Sequence, residues 1–266
     1  MKVADVSISP WLKAVMFCSL GFQLGCQAKD EGPPVAEPKT LSYQILAESP
    51  HDTRAFTQGL IFENGLFYES TGGRGASSIR MVHPQTGDIL RGGLLEKEFF
   101  GEGVTLMNDK IYQLTWESEV GFIYNRNTLE KTGQFKYSGQ GWGLTNDGKH
   151  LIMSNGSAEL QFLNPATLAV ERTLTVRNHK GPVENINELQ FVDGYIYSNV
   201  WHSDDILKID TSNGHVMGVL DCSALGQPRP KNPEAVLNGI AYDTKSKHFY
   251  LTGKLWNKVY KVKISE

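Results

Sequence analysis

The sequence predicts an all-β fold, a five-bladed β-propeller, from three observations. Five segments share one plan, in which polar residues with a glycine precede an apolar strand, a tight turn and a second strand. The second strands begin near Tyr68, Tyr112, Ile152, Tyr197 and Tyr250, which are 44, 40, 45 and 53 residues apart. A period of about 40–45 residues with several strands per unit is typical of propellers. The last repeat ends after its third strand, whereas an unmatched strand, Leu41–Leu46, precedes the first repeat.

This unmatched strand predicts how the ring closes. We expect residues 41–46 to form the outer strand of the last blade, which would close the propeller without a covalent link and cover a strand edge. A stack of similar sheets without closure is the alternative. The turns between first and second strands, such as Glu63-Asn64-Gly65 and Asn146-Asp147-Gly148, are rich in residues that tolerate positive φ, which favours hairpins.

Composition limits the classes of protein. With 266 residues, 40% of them hydrophobic, the chain can build one large core. The net charge is −3 and no basic run stands out, so no nucleic-acid partner is expected. Of Cys18, Cys26 and Cys222, only the last lies in the predicted domain. We therefore expect no disulfide and no cysteine zinc site, and interpret Cys222 as a small buried hydrophobe.

The first 26 residues are typical of an export signal. Lys2 and Lys13 precede a 12-residue apolar run, 14–25, which is too short for a membrane span of about 20 residues. The run ends at Cys26 in a sequence similar to a bacterial lipobox, which predicts lipidation of Cys26. Ordinary secretion and an uncleaved anchor are the alternatives. Residues 27–40 are interpreted as a flexible tether, residues 41–266 as the propeller, and the location as the bacterial periplasm or envelope.

The repeat brings chemically active residues to one end of the channel. In a propeller, the innermost strands line the channel and the residues that open them meet at one mouth. The openings contribute Gln58, Glu102, Trp142, Asn187 and Asn238, and the loops after the second strands add Trp116, Trp201, Lys254 and Trp256.

One carboxylate, one ammonium and several amides among indoles predict a small, dry pocket. Aromatic surroundings, including Phe99 and Phe100, should raise the pKa of Glu102 and suit it to general acid/base work. A structural role stays open for Glu102, and a solvated surface position for Lys254. Glu188 is expected to bond to backbone or to a neighbouring blade. The histidines show no metal-binding spacing, so no metal site is expected.

Nine stretches, in order, carry a family resemblance. The chain resembles the plant and bacterial type of glutaminyl-peptide cyclotransferase, a five-bladed propeller. The stretches are Phe56–Leu60, Tyr68–Gly72, Phe100–Gly103, Gln113–Trp116, Gly141–Leu144, Asn187–Leu189, Asn199–Trp201, Leu237–Ala241 and Thr252–Trp256. The chain departs from the family at Gln190, where Glu is usual, and at Asn257, where Pro is common.

The resemblance implies a reaction in which an N-terminal glutamine of a peptide or protein cyclises to pyroglutamate and releases ammonia. It implies Glu102 as the acid/base and Asn187 and Lys254 as further catalytic residues, with no metal and no cofactor. The residues assigned to substrate binding are Phe56, Gln58, Phe100, Trp116, Trp142, Trp201 and Asn238. The expected partners are peptides with N-terminal Gln, the membrane is contacted only through a lipid on Cys26, and the chain is expected to be a monomer.

Two other classes of function remain open at this point. A metal-dependent propeller lactonase needs several carboxylates around an ion, whereas Lys254 would repel a cation here. A non-catalytic propeller that binds envelope partners is the other alternative, because a fold does not by itself define a function.

Overall fold

A computed structural model describes residues 35–225 and 232–266 of the chain. These residues form an all-β structure, as predicted, and their single helical element is a 3₁₀ turn at Ser223–Leu225. The predicted signal segment and Cys26 lie outside the described residues. In the described ranges, no helix has the length and apolar character needed to cross a membrane.

Three four-stranded sheets follow the first strand, β1 (Lys39–Pro50). Each is an antiparallel meander in which neighbours in sequence are neighbours in space. The first sheet contains β2 (Thr57–Glu63), β3 (Leu66–Thr71), β4 (Ser78–Val82) and β5 (Ile89–Leu94). The second contains β6 (Gly101–Met107), β7 (Lys110–Thr115), β8 (Val120–Asn125) and β9 (Lys131–Lys136). The third contains β10 (Leu144–Asn146), β11 (Leu151–Met153), β12 (Glu159–Leu163) and β13 (Val170–Thr175).

The remaining strands form a small hairpin and one large sheet. The hairpin pairs β14 (Arg177–Asn178) with β15 (Gly181–Pro182). The large sheet contains β16 (Ile186–Val192), β17 (Tyr195–Val200), β18 (Asp205–Asp210), β19 (Val216–Asp221), β20 (Leu237–Asp243), β21 (His248–Gly253) and β22 (Lys258–Ser265). With β1 the sheet has eight strands, which run in the order β16-β17-β18-β19-β1-β22-β21-β20.

Strand β1 joins the two halves of the large sheet. Its residues Ser42 to Pro50 pair antiparallel with β22, so the expected outer strand beside the last repeat is present and extends beyond 41–46. Lys39 to Leu41 also pair, in parallel, with β19. The sequence did not predict this second pairing, because its partner strand belongs to the preceding repeat.

The innermost strands surround a common axis. β2 contacts β6, β6 contacts β10, β10 contacts β16, β16 contacts β20 and β20 contacts β2. Apolar side chains fill the spaces between adjacent sheets. In one cluster, for example, Tyr68 and Ile79 of the first sheet pack with Val104 and Ile111 of the second. Cys222 is buried in another such cluster, as expected.

Close approach of the innermost strands depends on a glycine after four of the five openings. At Gly143, a Cβ atom would lie 2.0 Å from the carbonyl oxygen of Asn187. The corresponding position of β16 holds Glu188, whose carboxyl group accepts hydrogen bonds from the amides of Leu60 (3.3 Å) and Ile240 (3.0 Å). Glu188 therefore connects β16 to β2 and β20, which confirms the expected bond to backbone of other repeats.

Candidate active site

A cavity of about 330 Å³ opens at one end of the axis. Nine of the ten catalytic and substrate-binding residues that the sequence predicts line it, together with Glu234, which it did not predict. The lining residues are Phe56, Gln58, Phe100, Glu102, Trp116, Trp142, Asn187, Trp201, Glu234 and Lys254. Asn238 does not line the cavity, and Trp256 packs into the hydrophobic core instead.

Their positions on the strands explain this convergence. Gln58, Glu102 and Asn187 are each the second residue of an innermost strand, β2, β6 or β16. Trp116 and Lys254 directly follow the second strands of their repeats, β7 and β21. In an antiparallel pair, the start of the first strand and the end of the second lie at the same edge, so all of these side chains reach one mouth.

Glu102 is the buried carboxyl group of this cavity. Its side chain accepts a 2.9 Å hydrogen bond from Nε2 of Gln58. Burial raises its pKa well above the ordinary value of 4.5, although the charge of Lys254 and the Gln58 hydrogen bond oppose the shift. A carboxyl group with a raised pKa can both accept and donate a proton near neutral pH.

A backbone carbonyl fixes the orientation of the Gln58 amide. Nδ2 of Asn238 donates to the carbonyl oxygen of Thr57 at 2.9 Å, which can only accept. The same amino group donates to Oε1 of Gln58 at 3.2 Å, so Nε2 of Gln58 must face Glu102. Asn238 therefore supports Gln58 from behind the cavity; its predicted contact with substrate stays a prediction.

Lys254 places an ammonium group among aromatic residues. The residue is 3% exposed, and its Nζ lies 4.8 Å from the centre of the Phe56 ring, within the range of a cation–π interaction. Burial lowers its pKa from 10.5, while the charges of Glu102 and Glu234 act in the opposite direction. Glu102 and Lys254 are thus two oppositely charged groups whose shared burial shifts both pKa values toward neutrality.

Asn187 presents an unused acceptor. Its Oδ1 is buried and has no hydrogen-bond partner among the described residues. The backbone carbonyl of Asn187 is held separately, by the Ser154 hydroxyl at 2.7 Å. An unsatisfied buried polar group costs about 1–3 kcal/mol, so the protein alone leaves the Asn187 side-chain amide incompletely satisfied.

The aromatic walls are held by edge-to-face contacts. Phe100 meets Phe56 at a ring-centre distance of 6.0 Å and Trp116 at 5.8 Å. Trp142 meets Trp201 at 5.7 Å. Such pairs contribute about 0.5–1.5 kcal/mol beyond the area they bury and keep the rings in fixed orientations.

Gln140 is a supporting residue that sequence reasoning missed. Its Oε1 accepts hydrogen bonds from both Nε1 of Trp116 (3.0 Å) and Nε1 of Trp142 (2.9 Å). Gly156 makes room for the second of these rings, because a Cβ atom there would lie 2.7 Å from Trp142 and the backbone has φ of +83°. In the sequence, this supporting role was indicated only by the position of Gln140, two residues before Trp142.

Carboxylate and imidazole groups do not cluster in a way that suits a metal ion. Among residues 35–225 and 232–266, no group of three or more His, Cys, Asp or Glu side chains could hold one. The cavity pairs a carboxyl group with an amine and neutral amides, which is an arrangement suited to moving protons and binding a polar, uncharged group.

Comparisons with known proteins identify the family of this chain. The sequence profile of the family described as glutamine cyclotransferase matches residues 18–264. A glutaminyl-peptide cyclotransferase of Arabidopsis thaliana is 37% identical over 228 residues, which cover 84% of this chain and 71% of that protein. The crystal structure of Myxococcus xanthus glutaminyl cyclase matches with a TM-score of 0.81 and 38% identity, covering 86% of this chain and 99% of that one. Since the profile spans nearly the whole chain and both relatives exceed a third in identity, this protein belongs to the glutamine cyclotransferase family.

Proposed function

We propose that Glu102 is the general acid and base of this enzyme, a glutaminyl-peptide cyclotransferase that converts N-terminal glutamine to pyroglutamate and releases ammonia. The observation that carries the proposal is the buried Glu102, with its raised pKa, in a cavity that also contains Lys254 and Asn187. The family membership and the relatives' names support the activity.

The reaction joins two atoms of one residue. The α-amine nitrogen attacks the γ-carbonyl carbon of the side chain, and the bond from that carbon to the amide nitrogen then breaks. Holding the side chain folded back on the amine supplies proximity, which can contribute several orders of magnitude in rate. The aromatic walls of the cavity, which include Phe56 and Trp201, suit the apolar stem of the glutamine and exclude water.

Glu102 moves one proton between the two nitrogens. It takes the proton that the amine loses on attack and gives it to the departing nitrogen, which leaves as ammonia. The atoms balance without water or an oxidant, and none of these steps uses a metal ion. Gln58 holds the carboxyl group in place through its fixed amide.

Lys254 and Asn187 are assigned two further tasks, stabilising the oxyanion and binding the substrate. The tetrahedral intermediate carries a negative oxygen, which needs a donor. Lys254 is a donor only, whereas the unused atom of Asn187 is an acceptor. We therefore assign the oxyanion to Lys254, and we assign to the side-chain amide of Asn187, which lines the cavity, a hydrogen bond with the amine or amide of the substrate.

Replacing Glu102 with Gln tests the proposal. The variant keeps the size of the side chain and loses the proton-accepting group, so kcat should fall about 10²–10⁴-fold. Ammonia release from a Gln-initiated dipeptide measures this, with and without a chelator, which should leave the wild-type rate unchanged. A melting temperature no lower than that of the wild type shows that the fold is intact. Activity near the wild-type level in this variant would refute the assigned role.

We also propose the number of blades and the cellular location. We count five blades, taking the eight-stranded sheet as two blades joined by β1; the circle of five innermost strands supports this count. The sequence supports an exported bacterial protein with residues 1–26 as signal, Cys26 lipidated, a tether after Cys26 and a monomeric propeller in the periplasm or on the envelope. The boundary predicted between residues 40 and 41 moves toward the N-terminus, because Lys39 and Thr40 already pair with β19 in strand β1. Mass spectrometry of the mature N-terminus distinguishes lipidation from simple cleavage.

A further inference from the structure

A buried charged network lies beside the cavity and takes no part in the chemistry described above. Glu69 is at its centre: its side chain is 2% exposed and contacts those of His51 and Arg80, which are 4% and 8% exposed. Nε of Arg80 donates to Oε2 of Glu69 at 2.9 Å, and the Thr57 hydroxyl donates to Oε1 at 2.6 Å. Arg80 also reaches Asp52 at 3.0 Å. The network connects β3 and β4 to the segment that follows β1.

Donor and acceptor geometry fixes the protonation state of His51. Its Nε2 lies 2.9 Å from Oε1 of Glu69, and its Nδ1 lies 2.8 Å from the carbonyl oxygen of Trp256. A backbone carbonyl can only accept, and a carboxylate bound by arginine also accepts. Both ring nitrogens must therefore carry a proton, which makes His51 an imidazolium.

The ionisation of both partners agrees with this geometry. Burial alone would raise the pKa of Glu69, but the charge and hydrogen bond of His51, together with Arg80, lower it to about 2. Burial lowers the pKa of His51, but Glu69 outweighs it and the net shift is upward. Arg80 opposes this upward shift. Two hydroxyl groups also face the ring, that of Thr252 at 3.4 Å from Nδ1 and that of Thr57 at 3.5 Å from Nε2.

The carbonyl that His51 holds belongs to the turn that carries Lys254. The backbone amide of His51 donates to the carbonyl of Asn257 at 2.9 Å, and the amide of Leu255 donates to the carbonyl of Ala55 at 2.6 Å. Three bonds therefore join the segment 51–55 to the segment 254–257. Two of these hydrogen bonds join backbone groups. The third comes from the imidazolium of His51, and it is the one of the three that depends on pH.

We propose that His51 is a positioning residue, whose imidazolium holds the turn after β21 so that Lys254 stays at its place in the cavity. The inference rests on the proposed role of Lys254. Loss of a proton from His51 would leave a nitrogen lone pair facing an oxygen of Trp256 or Glu69. The turn would then shift, and with it the ammonium group that binds the developing oxyanion.

Nitrogen NMR of the ¹⁵N-histidine-labelled wild-type enzyme tests the protonation state without reference to activity. One imidazole resonance should show two protonated nitrogens at pH 6.5, where a histidine of ordinary pKa is only half protonated, and it should be absent in His51→Gln. Finding His51 as a neutral tautomer at that pH would overturn the proposal, whatever the fate of the proposed reaction.

The pH dependence of activity tests the positioning role. The Gln side chain can donate to only one of the two acceptors, so kcat/KM of His51→Gln should be about tenfold lower than wild type below the His51 titration. The wild-type-to-variant ratio should then fall toward one as the pH rises through that titration. His179→Gln, an exposed histidine in the β14–β15 turn, is the matched control and should give a ratio of one throughout. A constant ratio above one would mean that His51 only fills space, and would overturn the positioning role while leaving the Glu102 result unaffected.

Discussion

Gln140 holds two indoles of the cavity through a single oxygen atom. The side chain is exposed, so water can replace its hydrogen bonds and the contribution to stability is small. Its contribution to function is geometric, because Trp116 and Trp142 both take their orientation from it. A polar residue at the rim of a site can thus matter more for substrate fit than for folding.

Replacing Gln140 with Leu should therefore lower kcat/KM without unfolding the protein. Small displacements of substrate-positioning groups can cost up to about 10²-fold, and we expect roughly tenfold here. Gln140→Glu keeps an acceptor for both indoles and should retain most of the activity. Gln134→Leu, the same change at an exposed site on β9, is the control. Equal kinetics for Gln140→Leu and Gln134→Leu on a Gln-initiated dipeptide would show that the shared acceptor has no role.

Site residues were predictable where they occupy a repeated position. Gln58, Glu102 and Asn187 open the first, second and fourth repeats, so their spacing predicts that they lie at the same mouth. Gln140 and His51 occupy no such position, and each has a distant partner: Trp116 is 24 residues from Gln140, and Trp256 is 205 residues from His51. Contacts of this kind depend on how loops cross between sheets, which the hydrophobic pattern does not encode.

Strand β1 stabilises the large sheet by pairing on both sides. Its Leu41 is 5% exposed, sits opposite Leu220 of β19 and belongs to the core cluster shared with β20 and β21. Ile45, four residues later on the same strand, is 43% exposed. The two residues offer a matched pair of aliphatic side chains on one strand, one inside the core and one outside.

Leu41→Ala should destabilise the protein by about 2–5 kcal/mol, the usual cost of a large-to-small change in a packed core. Ile45→Ala should cost much less, since its side chain already contacts water. Urea unfolding followed by tryptophan fluorescence measures both changes through the shift in midpoint. Equal shifts would mean that the N-terminal strand does not pack as the pairing indicates.

The elements themselves were predictable to different degrees. Long strands with a strong apolar pattern and Asn-Gly or Asp-Gly turns, such as β2 and β3, were expected at their places. The pair β14–β15 was not, because strands of two residues carry no period. Strand β10 begins only at Leu144, since the amide of Gly143 bonds to the hydroxyl of Ser154 instead of continuing a regular ladder.

Buried ionisable groups give the whole molecule a distinct dependence on pH. The raised pKa values of Glu102 and Glu188 mean that the folded state binds protons more tightly than the unfolded state. Their effect on stability becomes unfavourable as pH rises from 4.5 through the folded pKa. The raised pKa of His51 acts in the same direction above about pH 6.5.

Groups with a lowered pKa act in the opposite direction. The Glu69 carboxylate, whose pKa is lowered to about 2, stabilises the fold above pH 4.5 and loses this effect as the pH falls toward 2. Lys254, with its lowered pKa, opposes the decline at alkaline pH.

The melting temperature should accordingly be highest in mildly acidic solution, at about pH 5, and should fall toward pH 8. Thermal melts followed by circular dichroism across pH 4 to 9 measure the profile. In Glu188→Gln, the decline between pH 5 and 8 should be shallower, because one of the titrating groups is gone. The comparison uses the slope, so a lower absolute melting temperature in the variant does not affect it. A wild-type melting temperature that rises steadily from pH 5 to 8 would contradict the assignment.

The pairing of β1 with β22 also places the two ends of the folded domain side by side. Ser42 lies opposite Ser265, and Nζ of Lys39 is 3.7 Å from a carboxylate oxygen of Glu266. A circularly permuted chain could therefore run from Glu266 through a short linker into Lys39 and begin instead at an exposed turn such as Asn64–Gly65. Every strand pairing and every residue of the cavity would be kept. The order in which the strands are linked is thus separable from the arrangement that builds the cavity.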